Sequence, residues 1–401
     1  MVLTVNNIEI PITEIEQSAF CQSDGDLKSK PLTEELDVGV RWQKLPVSYM
    51  RMSAEELDDR ISAARNTLGK NLVILGHHYQ RDEIIKFADL RGDSFKLSQF
   101  AAQNKDAESI VFCGVHFMAE TASILSGDSQ RVILPNLTAG CSMADMAQID
   151  DVMDCWDDLS DQLGTNSITP ITYMNSTAAI KAICGRNDGI VCTSSNAAAT
   201  YKWALEKDKK ILFLPDQHLG RNTGLKMGID LSEMIVWNPF KPLGGHTPKE
   251  IDDAKVILWQ GHCSVHTRFT VEQIRLAREA NPDVKVIVHP ECTMEVVEAA
   301  DSNGSTEFIK KTIEDASPGT KWAVGTEISM VNRIARENSD KTVFCLDSVV
   351  CPCSTMYRIH PAYLSWVLDG LIQGVVVNEI DVDEETSSYA KIALDRMLSI
   401  V

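Results

Sequence analysis

His77 is followed by Ser94 after 17 residues and by Cys141 after 64. The series returns at His289, with Ser305 after 16 residues and Cys353 after 64. A longer version starts at Tyr173, with Ser194 after 21 residues and Cys263 after 90. Each round offers a ring or imidazole, then a hydroxyl, then a thiol. Imidazole and phenol move protons, hydroxyls orient anions, and thiolates hold soft metals. Three similar units about a shared centre would bring three cysteines together, one from each.

Other polar groups extend this set. On a strand, His77 and His78 would point to opposite faces, so both reach one metal only where the strand has ended. One structural and one functional histidine is the expectation. In "HPEC", Pro290 keeps the chain extended while His289 and Glu291 face the same side; a surface turn would look the same. "NSTAA" and "GSTEF" set Ser176, Ser305 and Thr306 at helix starts, as plain N-caps or as part of an anion site.

The cysteines divide by context. Cys113, Cys184, Cys192 and Cys345 lie in or beside apolar runs and read as small buried hydrophobes. Cys21 and Cys155 sit in acidic, irregular surroundings and suggest nothing. Cys141 in "LTAGCSMAD", Cys263 in "WQGHCSVH", and Cys351 and Cys353 in "SVVCPCSTM" follow strand ends in Gly- or Pro-containing loops, where a rigid scaffold can position function. The loops are more than 80 residues apart, a spacing that fits neither a zinc ribbon nor a compact ferredoxin motif.

Short apolar runs supply the strands that would position these residues. "NLVILG", "SIVFCG" and "RVILPN" form one group; "SITPITYM", "GIVCTSS", "KILFLPD" and "KVILWQG" a second; "VKVIVHPE", "KWAVGTE" and "KTVFCLDS" a third. Helical stretches such as "NAAATYKWALEK", "TMEVVEAAD" and "STEFIKKTIED" separate them. The alternation predicts βα units and parallel sheets covered by helices. Nearly every run stops in small or polar residues before a helix, and in such sheets ligands bind at the carboxyl ends of strands. The long second round fits an insertion within "RNTGLKMGIDLSEMIVWNPFKPLGGHTPKE". Ser53 and Glu56 form a capping box on an amphipathic helix expected to pack on the first unit, and the tail "EETSSYAKIALDRMLSIV" is another amphipathic helix.

The chain has 401 residues, 44% hydrophobic and 24% charged, with a formal net charge of −19. An acidic surface repels phosphate backbones, so nucleic acid and anionic membranes are poor partners. The longest apolar runs are too short to span a bilayer, and the first residues lack a secretory pattern. Eleven cysteines without an export signal suggest reduced thiols and a cytoplasmic protein.

The motifs "GHHYQ", "GDSFKLS", "FMAETASIL", "AGCSMAD", "TYMNSTAAIK", "CTSSNA", "PDQHLGR", "WQGHCSVH", "HPEC", "GSTEF" and "GTE", in this order from about residue 70 to 360, resemble quinolinate synthase. The resemblance implies an α/β fold of three homologous three-layer αβα domains with parallel sheets around a pseudo-threefold axis. The expected division is 1–68 extension and helix, 69–150, 151–270 and 271–360 as domains, and 361–401 C-terminal helices. It also implies a 4Fe–4S cluster held by Cys141, Cys263 and Cys353, with one iron left open as a Lewis acid. The reaction would condense iminoaspartate with dihydroxyacetone phosphate to give quinolinate for NAD biosynthesis. An upstream L-aspartate oxidase or dehydrogenase would supply iminoaspartate.

By the same resemblance, His77 and Tyr79 transfer protons, and Glu291 is a base beside His289. Substrate would be bound by His77, Ser94, Tyr173, Met174, Asn175, Ser194, Ser195, His289, Pro290, Glu291, Ser305 and Thr306. Cys351 becomes a neighbour of the site, packed or able to form a disulfide with Cys353 once the cluster is lost. The rival readings are an iron–sulfur or thiol redox sensor using Cys351 and Cys353, and a structural zinc protein.

Overall fold

The computed structural model describes residues 14–22, 27, 29–127 and 129–400. Residues 1–13 of the expected extension lie outside that set. The chain builds three parallel sheets. The first contains β1 (Leu72–His77), β2 (Leu90–Gly92), β3 (Ser109–Cys113) and β4 (Arg131–Ile133), in the order β2-β1-β3-β4. The second contains β5 (Ile168–Tyr173), β6 (Ile190–Cys192), β7 (Lys210–Leu214), β8 (Met234–Trp237) and β9 (Val256–Trp259), ordered β6-β5-β7-β9-β8. The third contains β10 (Lys285–Val288), β11 (Ser302–Asn303), β12 (Lys321–Gly325) and β13 (Thr342–Cys345), ordered β11-β10-β12-β13. Central strands β3 and β5 are buried along their whole length, as expected for strands with helices on both faces.

The register accounts for the repeating intervals. The first strand of each sheet ends beside the end of the second: His77 pairs with Gly92, Tyr173 with Cys192, and Val288 with Asn303. Ser94, Ser194 and Ser305 each lie two residues beyond those partners. The interval from ring to hydroxyl is therefore the return path between two neighbouring strands. The excess in the second round builds β8, which pairs in parallel from Met234↔Val256 to Trp237↔Trp259 and becomes an edge strand. β2 and β11 carry no apolar run, and β8 lies inside the insertion, so hydrophobic pattern did not reveal them.

Helices and extension hold the three sheets together. Ile74, Val111, Ile171, Phe213 and Leu394 share one continuous core, so the first two units and the C-terminal helix are packed as one body. That helix, Glu384–Ser399, lies so close to the helix Ala178–Arg186 that a Cβ at Gly185 would collide with the Tyr389 carbonyl. The capping box is present: Glu56 N–H donates to Ser53 Oγ at 3.2 Å and Ser53 N–H to Glu56 Oε2 at 2.7 Å. Its helix, Ala54–Leu68, adds Ile61 and Ala64 to the first core and packs Leu57 with Tyr363 of the helix Pro361–Ile372.

The extension also reaches the loop that carries Cys353. Buried Arg81 donates to Glu35 at 3.0 and 2.7 Å and to the Tyr357 carbonyl at 3.1 Å. Gln22 and Val350 form an antiparallel bridge, which sets Cys21 and Cys351 side by side, and the two are joined as a disulfide. One reading changes: Cys21, which its acidic surroundings left without a role, ties the extension to Cys351. Cys351 itself is buried. The other nine cysteines are free thiols.

Candidate active site

The carboxyl ends of strands from all three sheets meet at one cavity. Its lining includes His77, Tyr79, Ser94 and Cys141 from the first unit. The second contributes Tyr173, Asn175, Ser194 and Cys263, and the third His289, Glu291, Thr306 and Cys353. Phe117, Met118, Met143 and Met356 supply apolar wall. Four residues of the expected set have other surroundings. Met174 is buried, with its sulfur 3.4 Å from the Thr121 hydroxyl. Ser195 donates to Asp93 Oδ2 at 2.7 Å, and the Pro290 carbonyl accepts from Asn222 at 2.9 Å. Ser305 Oγ accepts the Phe308 N–H at 3.3 Å, so it serves as the N-cap.

Two histidines display their outer nitrogen by the same device. Tyr79 N–H donates to His77 Nδ1 at 3.1 Å, and Glu291 N–H to His289 Nδ1 at 3.4 Å. An Nδ1 that accepts leaves Nε2 as the protonated nitrogen of a neutral ring. His289 Nε2–H points to Ser194 Oγ at 3.3 Å. Burial lowers both imidazoles to a pKa of about 3, with neighbouring histidine charge adding to the effect. They are uncharged N–H donors at neutral pH.

A second chain of polar groups runs across the cavity wall. Tyr79 Oη lies 2.8 Å from Thr326 Oγ1, Thr326 Oγ1 lies 3.1 Å from His266 Nε2, and His266 Nδ1 lies 2.7 Å from Glu291 Oε2. His266 also stacks on His289, with ring centroids 4.4 Å apart. With Glu291 accepting from Nδ1–H, His266 Nε2 accepts from Thr326, whose oxygen accepts the Tyr79 proton. Burial would raise the Glu291 carboxyl, but His266 and His289 outweigh it and hold the group below the usual carboxylate range. Burial and the Glu291 charge push the Tyr79 phenol far up, so its proton leaves only where this chain can take it. His266 and Thr326 were not singled out from sequence. Both stand in recognisable strand-tip motifs, but their link to Glu291 depends on contacts between units.

The three cysteines form the remaining wall. Burial pushes all three thiols up, and Cys141 and Cys263 are raised further by charge on neighbouring cysteines. Backbone N–H groups at the turns after them act the other way. Three half-buried thiols lining one cavity, each facing backbone donors, suit a thiophilic metal centre: a metal charge would offset the cost of three thiolates. Ligand atoms of Cys263, His266 and Glu291 also lie within 4.8 Å of one another. His266 and Glu291 already satisfy each other through their hydrogen bond, which favours the cysteine set. Cys113 is buried away from this wall, as expected of a core thiol.

Comparison with known proteins decides the family. The profile described as NadA, quinolinate synthetase A protein, matches residues 59–399. The chain belongs to the quinolinate synthase family. It is 58% identical over 361 residues to a quinolinate synthase of Corynebacterium glutamicum, covering 90% of this chain and 92% of that one. Identity to the quinolinate synthases of a Nocardioides species and Streptomyces coelicolor is 53% in both cases. These alignments cover 94% and 87% of this chain and 97% and 89% of those relatives. Membership explains why the eleven motifs keep their order, and the three-sheet α/β fold agrees with it. Among the described residues no helix is long and apolar enough to cross a membrane.

The buried histidines of this family member make its stability pH-dependent. His77, His289 and His360 are each lowered from 6.5 to about 3, mainly by burial. They stay neutral in the fold and gain a proton on unfolding once the pH falls below 6.5. Their contribution is therefore whole above pH 6.5 and is lost as pH falls toward 3, about 2 kcal/mol each by pH 5. Glu327, raised to about 7 by burial, acts in the opposite direction between pH 7 and 4.5 and offsets roughly one histidine. Calorimetry should show a lower unfolding temperature at pH 5 than at pH 7. An unchanged midpoint would mean that these rings are not buried neutral.

Proposed function

We propose that the chain catalyses the condensation of iminoaspartate with dihydroxyacetone phosphate to quinolinate, phosphate and two waters, in NAD biosynthesis. The observation that carries this reading is a single cavity formed by all three units. It joins three cysteines, a Tyr79–Thr326–His266–Glu291 proton chain and uncharged donors for anions. The reaction is redox-neutral, so the protein must bind two polyanionic substrates and move protons.

Cys141, Cys263 and Cys353 would hold a 4Fe–4S cluster. Three thiolates leave one iron without a protein ligand, and that iron would supply Lewis acidity to the dehydrations. The remaining work belongs to the chain. Asn175 Oδ1 and Thr306 Oγ1 are buried at the cavity without a hydrogen-bond partner. An orphan of this kind costs about 1–3 kcal/mol unless a ligand satisfies it, so both are assigned to substrate. The His77 and His289 Nε2–H groups, Ser94, Ser194 and Tyr173 complete the donor set for carboxylates and phosphate. The Tyr79 phenol proton can pass to Thr326 as the Thr326 proton passes to His266 Nε2, and Glu291 steadies the imidazolium formed. The phenolate can then take the proton released in carbonyl isomerisation and return one at ring closure. Apolar walls keep water from competing.

The test is anaerobic incubation of the purified chain with dihydroxyacetone phosphate and freshly generated iminoaspartate, with quinolinate measured by chromatography. Quinolinate production that requires both substrates is the expected result. A protein with a full complement of iron and sulfide but no product would overturn this reading.

A further inference from the structure

The helix after the third strand of each unit also holds the loop that carries that unit's candidate metal ligand. These helices are His116–Leu125, Gln217–Lys226 and Ile328–Glu337, with N-caps Val115, Asp216 and Glu327. In the first unit, His116 N–H donates to the Ala139 carbonyl at 2.8 Å. In the second, Gln217 N–H donates to the Gly261 carbonyl at 3.0 Å. Ala139 and Gly261 each stand two residues before the cysteine, so donor and acceptor positions repeat with the fold.

In the third unit the tie runs through a side chain. Glu327, fully buried, accepts the Cys353 N–H on Oε1 at 3.2 Å. Its other oxygen accepts the Ser329 and Met330 N–H groups at 2.8 and 3.2 Å. One carboxyl group thus joins the start of a helix to the peptide of a cysteine that follows a proline. Asp216 is its counterpart. Its Oδ1 accepts the His218 and Leu219 N–H groups at 2.7 and 2.8 Å, and its Oδ2 is buried without a partner. The residue keeps this orientation at a φ of +77°, which a non-glycine residue adopts only where its surroundings impose it.

We infer that Glu327 is a positioning residue for the metal centre, fixing the Cys353 peptide from behind. The inference rests on the cluster assignment above. Its function is to hold the third unit's ligand loop by an acid, where the first two units use backbone N–H groups. Partners that orient metal ligands typically change metal affinity about 10–100-fold when removed.

The experiment compares anaerobically purified parent, E327A, E327Q and D383A proteins. The last removes an N-cap far from the cavity, where Asp383 Oδ1 accepts the Thr386 N–H at 2.9 Å. The readout is the rate at which a ferrous chelator strips iron, with far-ultraviolet circular dichroism as the folding check. E327A should lose iron about 10-fold faster than parent. E327Q keeps one acceptor oxygen but sets an amide NH2 against backbone N–H donors, so it should fall between parent and E327A, and D383A should match parent. A folded E327A that loses iron at the parental rate would overturn the inference. Should E327A not fold, E327D, one methylene short of Cys353, takes its place with the same two outcomes. Parent protein lacking iron and sulfide would instead refute the cluster assignment, and this inference with it.

Discussion

C353A protein is expected to leave anaerobic purification without its iron and without quinolinate-forming activity, whereas C351A protein keeps both. The two cysteines are separated by one proline but occupy different places. Cys353 lines the cavity with Cys141 and Cys263, while Cys351 is joined to Cys21 beneath the extension. Under the proposed ligand set, removing one of three thiolates would take away a bond to metal. The expected loss of affinity therefore exceeds the roughly 10–100-fold typical of outer partners. C141A and C263A should behave like C353A. Iron and sulfide analysis beside the activity assay checks all four variants. A C353A protein with a full cluster would mean that the ligand set is wrong, and loss of iron in C351A would exchange the roles of the pair.

Y79F and H266A should each lower kcat by about 100- to 10,000-fold, the range of a lost proton-transfer group, while their iron content stays at the parental level. Tyr79, Thr326, His266 and Glu291 come from loops of all three units and meet through contacts of 2.7–3.1 Å. Phenylalanine keeps the ring of Tyr79 but removes the proton. Alanine at 266 breaks the path to Glu291 and leaves that carboxylate buried without its nearest partner. T326S should retain much more activity than T326V, because only the serine keeps a hydroxyl in the chain. Steady-state kinetics on cluster-replete protein separates this outcome from a failure to bind metal. Activity of H266A within a few-fold of parent would remove the chain from the mechanism.

The parallel βα architecture was legible because buried strands are short, apolar and followed by polar tips. The intervals His77–Ser94 and His289–Ser305 followed from strand pairing and could be counted before the sheet was seen. β8 escaped because its four residues lie in a stretch that read as an insertion. His266 and Thr326 escaped for a different reason. Hydrogen bonds to residues 25 and 60 positions away leave no local pattern. Cys21 was the least legible residue: its partner is 330 positions distant, and an acidic neighbourhood gave no sign of it.

The neutral state of His77 and His289 also affects how substrates arrive. The cavity displays N–H and hydroxyl donors, yet it belongs to a chain whose formal charge is −19. The anionic substrates proposed above would diffuse through a repulsive potential before short-range donors could take hold. Dissolved salt shortens that potential to about 8 Å at physiological ionic strength, so it aids encounter while scarcely affecting a dry, uncharged set of hydrogen bonds. Capture of those substrates should therefore speed up as ionic strength rises, the reverse of electrostatic steering.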